Sequence, residues 1–148
     1  MVARILVAVD GSDHAERAVD FAAELTTCFS VPLTILNVVS TTSPVPMVMG
    51  TYAELEQIWL NARGALEEAG EELVEAAKRR AEAAGAADVD TRVEVGSPAR
   101  TITDVATEIG ADVIVMGRRG LGDLKGLLLG SVSHKVAQVA DATVITVK

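Results

Sequence analysis

The feature that most constrains this chain is a regular alternation of short apolar runs with helix-like repeats. The run at residues 5–9 is wholly apolar and rich in branched side chains. Strands covered on both faces, as in a parallel sheet, have this composition. Runs at residues 33–39, 112–116 and 143–147 are similar, whereas residues 91–95 alternate and so indicate an edge strand. The pattern therefore predicts five strands.

Apolar residues at helical spacing separate these strands. They predict a helix after residues 10–13, a long helix with an apolar stripe from Leu55 to Ala77, a helix over residues 98–109 and a short one over residues 132–140. Gly64 and Gly70 weaken the long helix by about 1 kcal/mol each relative to alanine, which predicts a kink there. Five strands and four helices predict one doubly wound α/β domain over residues 1–148.

Right-handed crossovers leave two common strand orders for such a sheet, 3-2-1-4-5 and 2-1-3-4-5. The pattern alone does not separate them. The weakly apolar third strand and the terminal fifth strand both suit sheet edges, which favours the order 3-2-1-4-5. We therefore expect an open, five-stranded parallel sheet in that order.

The composition of the chain limits which kinds of partner it is expected to bind. The chain has 148 residues, 49% of them hydrophobic, and a formal net charge of -8. An acidic surface repels nucleic acid and anionic membranes, so we expect neither as a partner, and an anionic ligand needs local donors. No apolar run approaches the ~18 residues of a membrane span, and the N-terminus lacks a signal-peptide layout, so we expect a cytoplasmic protein. Cys28 is the only cysteine, and we expect it to be buried.

The most informative segment is glycine-rich. In an open α/β sheet, ligands bind beyond the carboxyl ends of the strands, where the winding reverses. In the order 3-2-1-4-5 this crevice lies between the first and fourth strands, from which residues 10–13 and 116–120 emerge. Five of the chain's 12 glycines lie between residues 117 and 130, directly after a buried strand and before a helix.

This arrangement suits a phosphate group. Glycine permits positive φ and close approach of the backbone to a ligand, and a helix N-terminus attracts anions. Ser131 and Ser133 add hydroxyls, while Arg118, Arg119 and Lys125 add positive charge. The alternative is a flexible connector in which Ser131 only caps the helix.

Two familiar phosphate-binding fingerprints are absent. A Walker loop needs lysine between its last glycine and the serine, but Ser131 follows Gly130 directly. The dinucleotide pattern G-x-G-x-x-G begins at Gly120 and fails at Lys125. Neither mechanism is inferred.

What the segment does match is Gly117-x2-Gly120-x9-Gly130-Ser131. With this motif the chain resembles the ATP-binding branch of the universal stress protein family. The resemblance extends over nearly the whole chain, through I-L-V-A-V-D-G-S, L-N-V-V, V-E-V-G-S-P, A-D-V-I-V-M-G-R-R-G and L-L-G-S-V-S. It implies an adenine-nucleotide alpha-hydrolase-like fold and a small stress-response regulatory protein that binds ATP, with or without Mg²⁺.

The resemblance also implies residue roles. Asp10 lies near ribose and adenine, Val38 lines the adenine pocket, and Met116 and Gly117 continue it; the residues from Gly120 and from Gly130 onward hold ribose and phosphates. The nucleotide-binding set predicted in this way is Ala8, Val9, Asp10, Val38, Met116, Gly117, Arg118, Arg119, Gly120, Gly130, Ser131, Val132 and Ser133.

The chain departs from the family at two places. Asn37 stands where many relatives have histidine, although the adjacent Val38 is kept. The residues between the first two motif glycines vary widely in the family. It therefore stays open whether Arg118 and Arg119 reach phosphate or solvent.

Several functions compete with simple ATP binding. Cyclic AMP shares the adenine and ribose contacts. A slow ATPase or self-phosphorylating enzyme needs a base or a water-positioning group near the γ-phosphate and usually carboxylates for Mg²⁺, and Asp13 and Asp123 could assist it. We predict no catalytic residue, since nothing marks a strong base, and no metal site, since His14 and His134 have no neighbouring ligands. A flavodoxin-like carrier conflicts with the acidic residues 10–13, and a receiver domain lacks its aspartate at Gly96. Asp10 itself also suits a simple turn former.

The last strand predicts self-association. Residues Thr143–Val147 contain no charge and no proline, and an unprotected edge strand is an aggregation hazard. Pairing with a second copy about a two-fold axis satisfies both edges, and the resemblance also implies a homodimer through this strand. The alternative is that residues 127–129 or the loop at residues 40–50, which we expect to be mobile, cover the edge. The partner protein of such a regulator is not indicated.

Overall fold

A computed structural model of the chain describes residues 1–41, 51–121 and 129–148. Strands and helices alternate along these residues. The elements are β1 (Ile5–Ala8), α1 (Asp13–Phe29), β2 (Leu33–Ser40), α2 (Tyr52–Ala83), β3 (Val89–Gly96), α3 (Pro98–Ile109), β4 (Val113–Gly117), α4 (Ser131–Val139) and β5 (Thr143–Val147).

The strands form one parallel sheet in the order β3-β2-β1-β4-β5. This confirms the predicted order 3-2-1-4-5 and places β3 and β5 at the edges. At the centre, Val7 of β1 lies beside Ile35 of β2 and Val115 of β4. The winding reverses on either side of β1, so its carboxyl end and that of β4 flank the switch point.

Alternate residues of β1 enter two different cores. Ile5, Val7 and Val9 pack with residues of α1 and α2 on one face of the sheet. Leu6 and Ala8 pack with residues of α3 and α4 on the other. Successive side chains of a strand point to opposite faces, so a strand covered on both sides is apolar throughout.

The helices begin with clear capping signals. The Ser12 hydroxyl accepts a hydrogen bond from the Ala15 backbone N–H, which makes Ser12 the N-cap of α1. Thr51 and Glu54 form a reciprocal capping box at the start of α2. Pro98 occupies the first turn of α3, where its missing N–H costs nothing.

The long helix runs uninterrupted through Gly64 and Gly70. Gly70 has a packing role, because a Cβ atom there would lie 2.7 Å from the Asn37 Oδ1 atom of β2. The predicted stripe was wrong in position. Of the eight residues of that stripe, only Ala77 is buried; the stripe was Leu55, Ile58, Trp59, Ala62, Leu66, Ala69, Leu73 and Ala77. The packed face instead consists of Gly70, Val74, Ala77 and Ala81.

The burial predicted for Cys28 was also wrong, since this cysteine is exposed. The buried face of α1 is marked by Ala15, Ala22 and Thr26, and Cys28 lies on the outer side of that helix. The predictions for residues 42–50, for Asp123 and for Lys125 lie outside the described residues. Within the described ranges, no helix is both long enough and apolar enough to cross a membrane.

Candidate functional site

A cavity of about 330 Å³ opens at the carboxyl ends of β1 and β4. Its wall includes every residue of the predicted set except Arg118. The lining residues are Ala8, Val9, Asp10, Ala15, Leu36, Val38, Pro98, Ile102, Met116, Gly117, Arg119, Gly120, Leu121, Gly130, Ser131, Val132 and Ser133. The residues predicted to bind the nucleotide thus lie together in the folded chain, with the exception of Arg118.

The inner wall of the cavity is largely apolar. Leu36 and Val38 come from β2, Met116 from β4, and Pro98 and Ile102 from the first turns of α3. The set predicted from the sequence lacked Leu36, Pro98 and Ile102, together with Ala15 and Leu121. Leu36 carried a usable signal, because it lies two residues before Val38 and so on the same face of the strand.

Asp10 connects the end of β1 to the glycine-rich segment. Its Oδ1 atom accepts hydrogen bonds from the Ser12 backbone N–H (3.0 Å) and the Ser12 hydroxyl (2.6 Å). Its Oδ2 atom accepts one from the Leu121 backbone N–H at 3.2 Å. Asp10 is therefore a turn former, and it also ties two separate segments of the cavity wall together.

Gly117 allows β4 to approach the start of α1. A Cβ atom at this position would lie 2.9 Å from both the carbonyl carbon and the Cβ of His14, and 3.0 Å from the Ala15 nitrogen. Within the described residues, neither Gly117 nor Gly120 nor Gly130 has positive φ. Close approach, rather than a left-handed backbone, is thus the reason for glycine at position 117.

The backbone of Arg118 holds both described ends of the glycine-rich segment. Its N–H donates to the Val147 carbonyl at 2.7 Å, and its carbonyl accepts from the Gly130 N–H at 2.8 Å and from the Ser133 hydroxyl at 3.0 Å. The Ser133 hydroxyl also lies 3.1 Å from the Gly130 carbonyl, and Ser133 is buried. The Gly130 amide and the Ser133 hydroxyl are therefore engaged within the protein.

The N-terminus of α4 faces the cavity. Gly130 is its N-cap, so Ser131 is the first helical residue and does not cap the helix. The backbone N–H groups of Ser131, Val132 and Ser133 have no acceptor within the helix, as in the first turn of any α-helix. All three residues line the cavity.

The two arginines differ in position. The side-chain Nε atoms of Arg118 and Arg119 are both buried, and neither has a hydrogen-bond partner in the described structure. Arg119 lines the cavity, whereas Arg118 does not. Among the residues that the structure describes, no group of three or more histidines, cysteines or acidic residues could hold a metal ion.

These features define a doubly wound α/β protein with a ligand-sized cavity at its switch point. The sequence profile of the universal stress protein family matches residues 1–148. Universal stress protein YxiE of Bacillus subtilis (strain 168) is 35% identical over 153 residues, with all of both chains covered. The chain therefore belongs to the universal stress protein family.

Solved structures agree in fold. Universal stress protein UspA from Lactobacillus plantarum has a TM-score of 0.87 at 26% identity, covering 99% of this chain and 98% of that one. A universal stress protein in complex with cAMP has a TM-score of 0.69 at 30% identity, covering 99% and 96%. The universal stress protein from Archaeoglobus fulgidus in complex with dAMP has a TM-score of 0.66 at 29% identity, covering all of both chains.

Proposed function

We propose that this protein is a small cytoplasmic stress-response regulator that binds ATP in the cavity between β1 and β4 and signals through its occupancy. One observation carries the proposal: an apolar pocket lies beside the N-terminus of α4, whose first residues line the same cavity. An adenine nucleotide needs this combination, because its base is flat and weakly polar while its phosphates are anionic. The relatives solved with cAMP and dAMP hold ligands of the same chemical class.

In this proposal the base occupies the apolar part of the cavity. Val38 and Met116 contact the adenine ring from neighbouring strands, and Asp10 lies beside the ribose. Ligand pockets of this kind are mostly apolar, with a few polar groups that fix orientation. We place the Leu36 and Ile102 side chains on the same adenine surface, because they share that wall.

The phosphates are held by the first turn of α4. The Ser131, Val132 and Ser133 N–H groups donate to phosphate oxygens, and the helix dipole favours the negative charge. The Gly130 N–H and the Ser133 hydroxyl act indirectly, since their bonds to Arg118 fix the start of the helix. Because the chain carries a net charge of -8, these donors and the Arg119 guanidinium must attract the anion locally.

Selectivity for adenine provides the first test. We expect ATP to bind at least tenfold more tightly than GTP, a difference of about 1.4 kcal/mol. Asp10→Ala should weaken adenosine as well as ATP, because it removes a polar group beside the ribose and releases the Leu121 N–H. Isothermal titration calorimetry of ATP, GTP and adenosine measures these affinities.

Asp13→Ala is the matched control, because Asp13 is an exposed acidic residue three positions further along that does not line the cavity. It should leave all three affinities within about twofold. Equal affinity for ATP and GTP would mean that the site recognises only the phosphates. It would overturn the proposal that the cavity binds the adenine base.

ATP turnover is expected to be far slower than the median enzyme rate of about 10 s⁻¹. Both carboxylate oxygens of Asp10 already accept hydrogen bonds within the protein, so they are poorly placed to activate water. A phosphate-release assay measures the rate. Turnover at ordinary enzyme rates that disappears in Ser131→Ala would instead support the alternative of an ATPase or self-phosphorylating enzyme.

We also propose a homodimer through β5. The Thr143 N–H and the Val147 carbonyl both point toward β4, because they bond to Asp112 and Arg118. In a parallel strand the N–H groups of alternate residues point to opposite sides, so those of Val144 and Thr146 point outward from the sheet edge. Thr146→Pro removes one outward donor and should convert the dimer to monomer in sedimentation velocity.

Thr146→Ser keeps that N–H and should remain dimeric, which separates the backbone effect from the change of side chain. A wild-type protein that sediments as a monomer at every concentration, or a Thr146→Pro variant that dimerises normally, would rule out pairing through β5.

A further inference from the structure

The first half of α2 extends beyond the sheet. Its 32 residues span about 48 Å at 1.5 Å per residue, whereas the eight residues of β2 span about 26 Å. Within the described chain, the first buried residue of α2 is Gly70. None of the 18 residues before it is buried, although several are large and apolar.

These apolar residues repeat with a heptad period. Tyr52, Trp59 and Leu66 are seven residues apart, and each is followed three residues later by a smaller or equal apolar residue. The combined set, which we name the α2 seam, is Tyr52, Leu55, Trp59, Ala62, Leu66 and Ala69. Such 3-4 spacing is typical of one helix of a coiled coil. Tyr52, Trp59 and Leu66 are exposed by 95%, 38% and 44% respectively.

We infer that the α2 seam binds the same seam of a second copy of this chain, with the two helices antiparallel. The sizes of the side chains favour this orientation. Antiparallel pairing about a point between residues 60 and 61 places Trp59 opposite Ala62 of the other copy and Tyr52 opposite its Ala69. Leu55 then meets Leu66. Parallel pairing instead places Trp59 on Trp59 and Ala62 on Ala62, which crowds one layer and leaves a void in the next.

The charged residues beside the α2 seam also favour a second copy of this chain as the partner. Glu56 and Arg63 flank the seam at equivalent positions of successive heptads, and in the antiparallel pair Glu56 of each copy approaches Arg63 of the other. Arg63 is available for this exchange, because its present bond to Glu67 (2.6 Å) is a half-exposed surface pair. The Arg63 guanidinium also lies 5.6 Å from the centre of the Trp59 ring, so the charge borders the apolar layer.

No residue of the α2 seam lines the proposed nucleotide cavity. The α2 helix packs over β2 and β3, which lie toward the edge of the sheet opposite to β5. Trp59 is the only tryptophan in the chain, so its fluorescence reports on the α2 seam alone. Association through the seam removes the indole from water and shifts its emission to shorter wavelength.

The test measures Trp59 emission and sedimentation velocity of the full chain over a range of concentrations. For wild type we expect a concentration-dependent blue shift that accompanies an increase in mass. Leu66→Lys should weaken this association at least tenfold. Leu60→Lys is the matched control, because Leu60 is similarly exposed (49%) on the same helix but lies off the seam, and it should stay within twofold of wild type.

A charge exchange tests the orientation. Glu56→Arg and Arg63→Glu should each weaken association, and the double variant should restore it. Emission that is independent of concentration would overturn the inference. It would mean that other residues of the same chain cover the seam or that the seam binds a different protein. Equal effects of the two lysine variants, or a double charge variant that associates no better than the single ones, would also overturn it.

Discussion

Replacing Gly130 with valine is expected to weaken ATP binding at least tenfold, which corresponds to about 1.4 kcal/mol, while leaving the fold intact. The φ and ψ angles of Gly130 are -70° and 159°, a conformation that any residue adopts. Its N–H can still donate to the Arg118 carbonyl after the change. The added isopropyl group, however, would occupy the cavity wall directly before the α4 donors, where we place the phosphates.

Gly64→Val is the matched control for this variant. Gly64 lies on α2, and a Cβ atom there would have no neighbour within 4 Å. Calorimetry should show wild-type ATP affinity for Gly64→Val and a large loss for Gly130→Val, with circular dichroism confirming that both are folded. If a folded Gly130→Val protein bound ATP normally, the phosphates would have to lie elsewhere.

Gly117→Ala is expected to destabilise the protein by about 1–3 kcal/mol through overpacking. The new Cβ would meet backbone atoms of α1 at 2.9–3.0 Å, and these cannot move without shifting the start of the helix. Because α1 follows directly after Asp10 and Ser12, we also expect weaker nucleotide binding. Urea denaturation measures the free energy of unfolding.

The same substitution at Gly64 should have the opposite effect on the free energy of unfolding. Alanine is favoured over glycine in a helix interior, so Gly64→Ala should stabilise the protein by about 0.5–1 kcal/mol. If Gly117→Ala proved as stable as wild type, β4 and α1 would have to separate more easily than their close contact suggests.

The strand order was predictable because both edge strands have a sequence feature that suits an edge position. Residues 91–95 alternate between polar and apolar, and residues 143–147 form the last of the five predicted strands, so each suited an edge of the sheet. The cavity wall was largely predictable for a related reason. The carboxyl ends of neighbouring parallel strands meet at one edge, and this rule brings Asp10 and Met116 together without knowledge of any side-chain contact. Val38 was added to the predicted wall by the family resemblance.

The hydrogen bonds within the site were not predictable in the same way. A sequence pattern marks Gly130 and Ser133 as potential donors, but it does not reveal that both bond to the Arg118 carbonyl. Those bonds depend on how the segment after β4 returns to the sheet. Only the folded chain shows that the remaining donors are the first N–H groups of α4.

The burial of α2 was mispredicted because two signals diverge along that helix. The large apolar residues, such as Trp59 and Leu66, form the heptad stripe, which was predicted to continue as one apolar stripe to Ala77. The sheet instead packs against small residues such as Gly70 and Ala77, which allow close approach but contribute little hydrophobicity. Cys28 was also misassigned, because it lies on the outer side of α1, where the neighbouring Phe29 is exposed as well.

Whether the cavity holds ATP is measured by mass spectrometry of the nucleotide that the purified protein releases on denaturation. The protein is incubated with an equimolar mixture of ATP, GTP and cyclic AMP, separated from free ligand and then denatured. We predict that ATP is released in near-stoichiometric amount and that the Gly130→Val variant releases little. Release of cyclic AMP in place of ATP would replace the proposed ligand with its rival, and release of no nucleotide at all would contradict the proposed function.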